Sequence, residues 1–235
     1  MIYILMTVLF LVFSGLTPVA ANDLYTQSYV ILIDKEIAGT ETVTEEKDSS
    51  GAVIFTSEHE LSVSEGTAKN RMAFSTRMVF SRGARDLQTY FYRYKTGQTG
   101  NLEVFVRNDQ ITRILTSDGQ ALSEVTAPFT SNMVIVDYNV YYQYEHLIRR
   151  YDRRRRGAQA FANFIPLIGS DIPIKVTLLG DAILRFGEKD VEASRFQVEL
   201  ADIHTVTLSV DRNGRLVILE NPTQGLQVIR RDLLP

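Results

Sequence analysis

The chain has 235 residues, of which 45% are hydrophobic and 23% charged, with no cysteine and a formal net charge of −3 at pH 7. This length suggests one large domain, or two small lobes that share a helix, and it is ample for a real hydrophobic core. The absence of cysteine excludes a small disulfide-stapled scaffold, and the slight negative charge argues against general nucleic-acid binding.

The first 21 residues have the pattern of a secretory signal peptide. Residues 2–13 form an apolar run too short to span a bilayer comfortably, and Val19 and Ala21 occupy the −3 and −1 positions of a cleavage site. We therefore expect export to a bacterial periplasm, cleavage near Ala21 and a mature domain of residues 22–235. No Lys or Arg stands near the start, which leaves an uncleaved anchor as the alternative. The sequence predicts no transmembrane span in the mature chain.

The stretch 24–126 has the pattern of a β-meander, because β-prone runs alternate with turn signals at short, regular intervals. The turn signals are Asp48-Ser49-Ser50-Gly51, Glu65-Gly66, Arg82-Gly83, the stretch 97–100, Asn108-Asp109 and Asp118-Gly119. A second β block follows residue 171, where Val176, Val198 and Leu208 belong to runs that alternate apolar and polar residues. The turn at residues 211–214 contains Asn-Gly, a strong hairpin signal.

Between these blocks, residues 137–154 are predicted to form the one main helix. Apolar and aromatic residues recur there at helical spacing, and Leu147 lies on that face. Asp137 is the expected N-cap, and Gly157 is the expected stop after a C-terminal run of arginines. The predicted fold is mainly β. It is a large curved antiparallel sheet or half-barrel, built as a meander and packed around one central amphipathic helix.

The order of short motifs resembles that of uncharacterised β-rich periplasmic proteins of Gram-negative bacteria, catalogued as domains of unknown function. The motifs are the Ile37-Ala38-Gly39 turn, the helix pattern Tyr144, Leu147, Tyr151 and Asp152, the hairpin at residues 211–217 and a final strand carrying Arg230. The resemblance implies a fold and a compartment but no catalytic residues. A looser architectural likeness is to periplasmic lipoprotein carriers, in which a curved antiparallel sheet wraps a helix over an apolar cavity.

The sequence contains no constellation typical of catalysis, of a metal site or of a cofactor site. His59, His146 and His204 lie far apart without metal-ligand spacing, and structural roles are favoured for all three. No Gly-x-Ser-x-Gly elbow and no phosphate-binding glycine loop occurs. We therefore favour a protein that is not an enzyme, and a hydrolase whose site is assembled from scattered residues stays as an alternative.

The strongest functional pattern pairs an aromatic helix face with a cationic helix end. It suggests a ligand site for a lipid or other amphiphile between sheet and helix, with apolar walls and a few orienting charges. The candidate ligand-binding residues are Tyr138, Tyr141, Tyr142, Arg153, Arg154, Arg155 and Arg156. The alternative is a structural or interaction protein of the cell envelope that binds a partner protein through the cluster at residues 149–156.

Overall fold

A computed structural model describes residues 22–65, 68–82, 86–96, 98–201 and 204–234. The predicted signal peptide lies outside the described residues, as do Gly66, Gly83 and Gly97 of three predicted turns. Among the described residues, no helix is long and apolar enough to cross a membrane.

Strands make up most of the described chain. The first block consists of β1 (Asn22–Ile33), β2 (Glu36–Lys47), β3 (Val53–Glu65), β4 (Ala68–Phe80), β5 (Leu87–Thr96), β6 (Gln98–Arg107), β7 (Gln110–Ser117) and β8 (Gln120–Pro128). The middle of the chain contains β9 (Val134–Ile135), α1 (Gln143–Arg150), β10 (Ala158–Phe161), β11 (Asn163–Ile165) and β12 (Ser170–Asp171). The last block consists of β13 (Ile174–Phe186), β14 (Lys189–Leu200), β15 (His204–Val210), β16 (Leu216–Asn221) and β17 (Leu226–Arg230), with 3₁₀ turns at Pro222–Gln224 and Arg231–Leu233.

Fourteen of these strands form one antiparallel sheet, in the order β10-β13-β14-β15-β16-β17-β1-β2-β3-β4-β5-β6-β7-β8. The first and last strands meet at its centre, where Tyr29 of β1 is opposite Arg230 of β17. This pair joins the two β blocks into one sheet, whose ends, β8 and β10, do not pair with each other. A second sheet, β12-β11-β9, is small and contains the parallel pair β11–β9. The predicted antiparallel meander is confirmed.

Backbone conformation explains where the hairpins turn. Asn108 and Asp109 have φ values of 51° and 57°, and Gly214 has a φ of 73°, which fits the preference of Asn, Asp and Gly for left-handed turn positions. The turn predicted at residues 37–39 is wrong. The chain turns instead at Asp34 and Lys35, with φ values of 52° and 70°. Gly39 lies within β2, where an added Cβ would stand 2.0 Å from the carbonyl oxygen of Glu60.

The inward faces of the strands enclose the middle of the chain in one continuous core. Both strand blocks, α1 and the small sheet contribute to it, among them Ile31, Val104, Leu147, Ile165 and Phe196, all fully buried. Burial of this apolar surface is the main stabilising contribution of the fold. We call residues 133–168 the central segment, because the large sheet packs around them. The predicted curved sheet packed around one helix is confirmed.

The helix starts six residues later than predicted. Asp137 does not cap it, because its Oδ1 accepts hydrogen bonds from the backbone N–H groups of Tyr138 at 3.0 Å and Leu167 at 3.4 Å. Asn139 has a φ of 61°, a left-handed conformation that a continuous helix does not permit. The helix begins at Gln143, and Tyr142 occupies its N-cap position without a side-chain cap.

The helix also ends four residues earlier than predicted. Tyr151 at the C-cap has an extended backbone, with a ψ of 121°. Asp152 then stabilises a separate turn, in which its Oδ1 accepts a hydrogen bond from the backbone N–H of Arg154 at 2.9 Å. The four arginines at residues 153–156 therefore lie in a turn beyond the helix.

Candidate functional site

The helix is held by a carboxylate in the core as well as by apolar contacts. Glu145 is only 4% exposed. Its Oε1 accepts a 2.6 Å hydrogen bond from the hydroxyl of Tyr29 and a 3.0 Å bond from the backbone N–H of Leu216. Burial raises the pKa of Glu145, while these donors and the nearby Arg149 and Arg215 oppose the rise. A buried polar group with this many partners fixes the position of α1 against β1 and β16.

Two arginines complete this cluster at its outer side. Arg215 Nη1 lies 2.6 Å from Glu45 Oε2 and 3.5 Å from Glu145 Oε2. Arg149 Nη2 lies 3.5 Å from Glu45 Oε2 and 3.6 Å from Glu145 Oε2. Arg149 therefore already has carboxylate partners within the protein.

Ser57, His59 and Glu41 converge in the core and invite comparison with a catalytic triad. Ser57 Oγ lies 2.7 Å from His59 Nε2, but Glu41 Oε1 lies 3.3 Å from the same nitrogen. A triad needs the carboxylate on the other ring nitrogen, where it orients the base. His59 Nδ1 and Glu41 Oε2 instead have no hydrogen-bond partner among the described residues.

All three of these side chains are also at most 2% exposed. Burial lowers the pKa of His59 to about 3 and raises that of Glu41. The hydrogen-bonded chain continues from Ser57 through Thr76 to the hydroxyl of Tyr142, with distances of 2.8 and 3.1 Å. The cluster therefore joins the central segment to the sheet, and its burial leaves no access for a substrate.

A groove of about 950 Å³ opens at the C-terminal end of α1. Its walls come from Ile148, Arg149, Tyr151 and Arg153 on one side and from the outer half of the β13–β14 hairpin on the other. The turn at residues 212–214 closes one end. We call this space the arginine groove.

The hairpin wall is a strip of alternating residues from two paired strands. Asp181 is opposite Ser194, and Ile183 is opposite Glu192. Side chains directly opposite in an antiparallel pair point to the same face, so these four line the groove together. Ile183 is 67% exposed, which places an apolar side chain in contact with solvent beside charged ones.

Arg153 differs from the other arginines of the groove. Arg149 pairs with two carboxylates and Arg212 pairs with Glu192. In the part of the chain that the structure describes, no carboxylate forms an ion pair with Arg153. Its Nη1 donates a 2.9 Å hydrogen bond to Ser194 Oγ, and its guanidinium lies 5.5 Å from the ring centroid of Phe196. An arginine has five N–H donors, so Arg153 retains donors for an anion.

The remaining candidate residues lie in three places. Arg154, Arg155 and Arg156 are exposed on the turn that follows the helix. Tyr142 is 1% exposed and has its hydroxyl in the core network described above. Tyr138 and Tyr141 line a separate cavity of about 300 Å³ at the other end of α1, which we call the tyrosine pocket. The structure thus brings Arg153 to one cavity and two of the tyrosines to another.

Among the described ranges, no three His, Asp or Glu side chains are grouped so that they could hold a metal ion. His59 and His146 are buried, and His204 is half-buried with its ring centroid 6.4 Å from that of Tyr138.

Comparison with known proteins identifies a similar fold. No family model and no curated protein matches the sequence. Among solved structures, the chain is similar to a β-barrel-like protein of a domain of unknown function, DUF1849, from Brucella abortus. The TM-score is 0.57 and the identity 10%, over 87% of this chain and 93% of that chain. At this identity the likeness shows the fold alone, a β-barrel-like domain.

Sequence reasoning missed the hairpin wall of the arginine groove. Residues 181–194 are separated from α1 by more than thirty positions, and only the fold brings them to the helix end. One signal was available, since Ile183 lies between the charged residues Asp181 and Arg185 on its own face of the strand.

Proposed function

We propose that the protein is a non-catalytic binding protein of the cell envelope that holds an anionic amphiphile in the arginine groove. The observation that carries this proposal is Arg153, which has no carboxylate partner among the described residues, in the same groove as the exposed side chain of Ile183. An acidic head group meets the guanidinium, whose planar fork binds carboxylate or phosphate with two hydrogen bonds. The apolar part of the ligand then covers Ile183.

The groove suits this ligand better than the interface between helix and sheet. The residues of α1 from Gln143 to Ile148 are all buried, so protein side chains already fill the space beneath the helix. The groove has the size of a typical ligand site and combines apolar surface with a few orienting polar groups. The ligand therefore binds at the end of the helix, and Tyr142 takes no part.

Export belongs to the same proposal. The apolar run at residues 2–13 and the small residues at positions 19 and 21 support cleavage after Ala21 and a periplasmic location. The motif order that resembles uncharacterised periplasmic proteins supports the same compartment. N-terminal sequencing of protein from the periplasmic fraction tests it: a chain that begins at Asn22 is expected, and an intact Met1 in the membrane fraction contradicts it.

A second candidate function rests on the turn beyond the helix. Arg154, Arg155 and Arg156 are exposed, and no ion pair involves them among the residues that the structure describes. Three neighbouring cations of this kind suit an acidic surface on a partner protein of the envelope. In this case the groove stays empty and the turn makes the contact.

A displacement titration separates the two candidates. A fluorescent fatty acid is titrated into delipidated wild type, the Arg153→Gln variant and a variant with glutamine at positions 154–156. The groove proposal predicts saturable binding that Arg153→Gln weakens severalfold, and more at low salt, where exposed charges are least screened. Arg71→Gln is the matched control, because Arg71 is an exposed arginine on β4 that pairs with Glu60. Absence of saturable binding, or equal affinities for wild type and Arg153→Gln, contradicts the groove proposal.

A further inference from the structure

The tyrosine pocket lies at the N-terminal end of α1, away from the arginine groove. Its volume is about 300 Å³, at the lower end of the range for small-molecule sites. One wall is the start of the central segment, from Val136 to Tyr144, and the other comes from β14, β15, β16 and β17. Asn139 and Gln224 are exposed and stand at its mouth.

Flat rings line much of this pocket. Tyr141 and Tyr144 are 5% and 6% exposed, Tyr138 is half-buried, and the ring of His204 lies beside Tyr138 with a centroid distance of 6.4 Å. The face of an aromatic ring carries partial negative charge, so it attracts the weakly positive C–H groups of a saturated ring. Such a wall favours a flat or ring-shaped ligand.

A buried amide at the pocket has an unused acceptor. Asn221 is 1% exposed, and its Nδ2 donates a 3.0 Å hydrogen bond to Gln224 Oε1. Its Oδ1 has no hydrogen-bond partner among the described residues. A buried acceptor without a donor is costly, so a ligand hydroxyl at this position would gain a bond that the protein leaves unmade.

The charges of the pocket exclude an anionic ligand. In the described part of the chain, neither Lys nor Arg lines it, and Asp137 is the one charged residue that does. The oxygens of Asp137 already accept bonds from the backbone of Tyr138 and Leu167 and from the hydroxyl of Tyr90. A neutral ligand that brings hydroxyl donors fits this lining.

We propose that the tyrosine pocket binds a sugar unit. The C–H face of the sugar ring packs on Tyr138 and Tyr141, one hydroxyl donates to Asn221 Oδ1, and others bond to the exposed amides of Asn139 and Gln224. The site is independent of the amphiphile in the arginine groove, which lies at the opposite end of α1. A failed test of one site therefore does not affect the proposal for the other.

The test is a saturation-transfer NMR titration of the protein with glucose, galactose and N-acetylglucosamine, with indole as a flat neutral ligand that lacks hydroxyls. At least one sugar is expected to bind saturably and to compete with the others. Tyr138→Ala removes one ring contact and should weaken binding roughly threefold to tenfold. Gln224→Trp places a bulky side chain at the exposed mouth and removes the acceptor of Asn221 Nδ2. It should abolish binding, and a circular dichroism spectrum equal to that of the wild type shows that the fold is kept.

Two matched controls make the outcome clear. Tyr94→Ala removes a half-buried tyrosine on β5 that does not line the pocket, and Arg153→Gln alters the arginine groove alone. Both should leave sugar binding unchanged. The proposal is overturned if none of the three sugars binds saturably, if indole binds and the sugars do not, or if both Tyr138→Ala and Gln224→Trp bind sugar as the wild type does. If Arg153→Gln loses amphiphile binding but still binds sugar, the sugar-site proposal is supported.

Discussion

The hydroxyl of Tyr29 donates a 2.6 Å hydrogen bond to Oε1 of Glu145, across 116 positions of sequence. It links the central strand of the sheet to the helix inside it. Because Tyr29 is fully buried and Glu145 nearly so, the bond forms in an environment of low polarity, where it is stronger than at the surface. The position of α1, and hence the shape of the groove at its end, depends on this contact.

The Tyr29→Phe variant should therefore be destabilised. It removes one donor from a buried carboxylate, which costs about 1–3 kcal/mol of the free energy of unfolding. Urea denaturation of both proteins measures the difference. Tyr94→Phe is the control, because it removes a hydroxyl from a half-buried tyrosine on β5, and its change should stay within about 0.5 kcal/mol. Equal changes in the two variants would show that the bond contributes nothing specific.

Asp137 should make the protein less stable as pH rises. Burial raises the pKa of its carboxyl from 3.8 to about 7. Between these values the folded protein keeps a proton that the unfolded chain has lost, so this contribution to stability is present below pH 4 and is lost as pH rises through 7. A shift of this size corresponds to on the order of 4 kcal/mol.

The comparison of Asp137→Asn with wild type isolates this effect, because the other buried groups are common to both proteins. The free energy of unfolding of the variant, relative to wild type, should increase between pH 4 and pH 7 in urea denaturation. The control is Asp109→Asn, in an exposed turn whose left-handed φ asparagine accepts. A difference between Asp137→Asn and wild type that does not change with pH would contradict the prediction.

His146 should have the opposite pH dependence. Its ring is buried, 4.0 Å from the centroid of Phe55 and 4.7 Å from that of Phe80, and Nε2 has no partner among the described residues. Burial, aided by nearby arginines, lowers its pKa well below 6.5. Below pH 6.5 the histidine becomes protonated in the unfolded chain but stays neutral in the folded protein. The free energy of unfolding therefore decreases as pH falls.

The His146→Phe variant removes this loss. Its stability relative to wild type should rise by about 2 kcal/mol between pH 7 and pH 5. Thermal or urea unfolding at the two pH values measures this difference in stability. The contribution of His59 cancels because both proteins contain it. If the two proteins lose the same stability on acidification, the histidine is not held neutral in the core.

Leu147 is the apolar anchor of α1 and is fully buried. Leu147→Ala leaves a cavity at this position, so we expect a loss of about 2–5 kcal/mol in the free energy of unfolding. Leu122→Ala, on β8 with its side chain 60% exposed, should change stability by less than about 0.5 kcal/mol. A loss near zero for Leu147→Ala would mean that the helix packs through another face.

The strands could be predicted from sequence because their pattern is local. Val176, Val198 and Leu208 face the core as the alternation indicates, and hairpin turns such as Asn108-Asp109 contain residues that accept a left-handed backbone. The bounds of the helix could not be predicted, because its flanks are buried without being helical. Asp137 bonds to Leu167, which is 30 positions away, and no local pattern reveals that contact.

The candidate site was predictable only in part, for a related reason. A cationic end of the helix is visible in the sequence, and Arg153 does line a cavity. The opposite wall comes from Asp181 and Ile183, which a strand pairing places there. Tyr138 and Tyr141 lie before α1 and Arg153 lies beyond its end. The rise of about 1.5 Å per residue would also have separated them along the longer predicted helix, so this part of the arrangement could be derived from the sequence.

The arginine groove is tested most directly by methyl NMR of the isoleucines during a titration with dodecanoate. Ile148 and Ile183 line the groove, whereas Ile37 and Ile168 are 70% and 50% exposed and do not. We expect the Ile148 and Ile183 methyl signals to shift along one saturating curve and the Ile37 and Ile168 signals to stay in place. Arg153→Gln should weaken the response. Unchanged spectra, or equal shifts at all exposed isoleucines, would contradict the groove proposal.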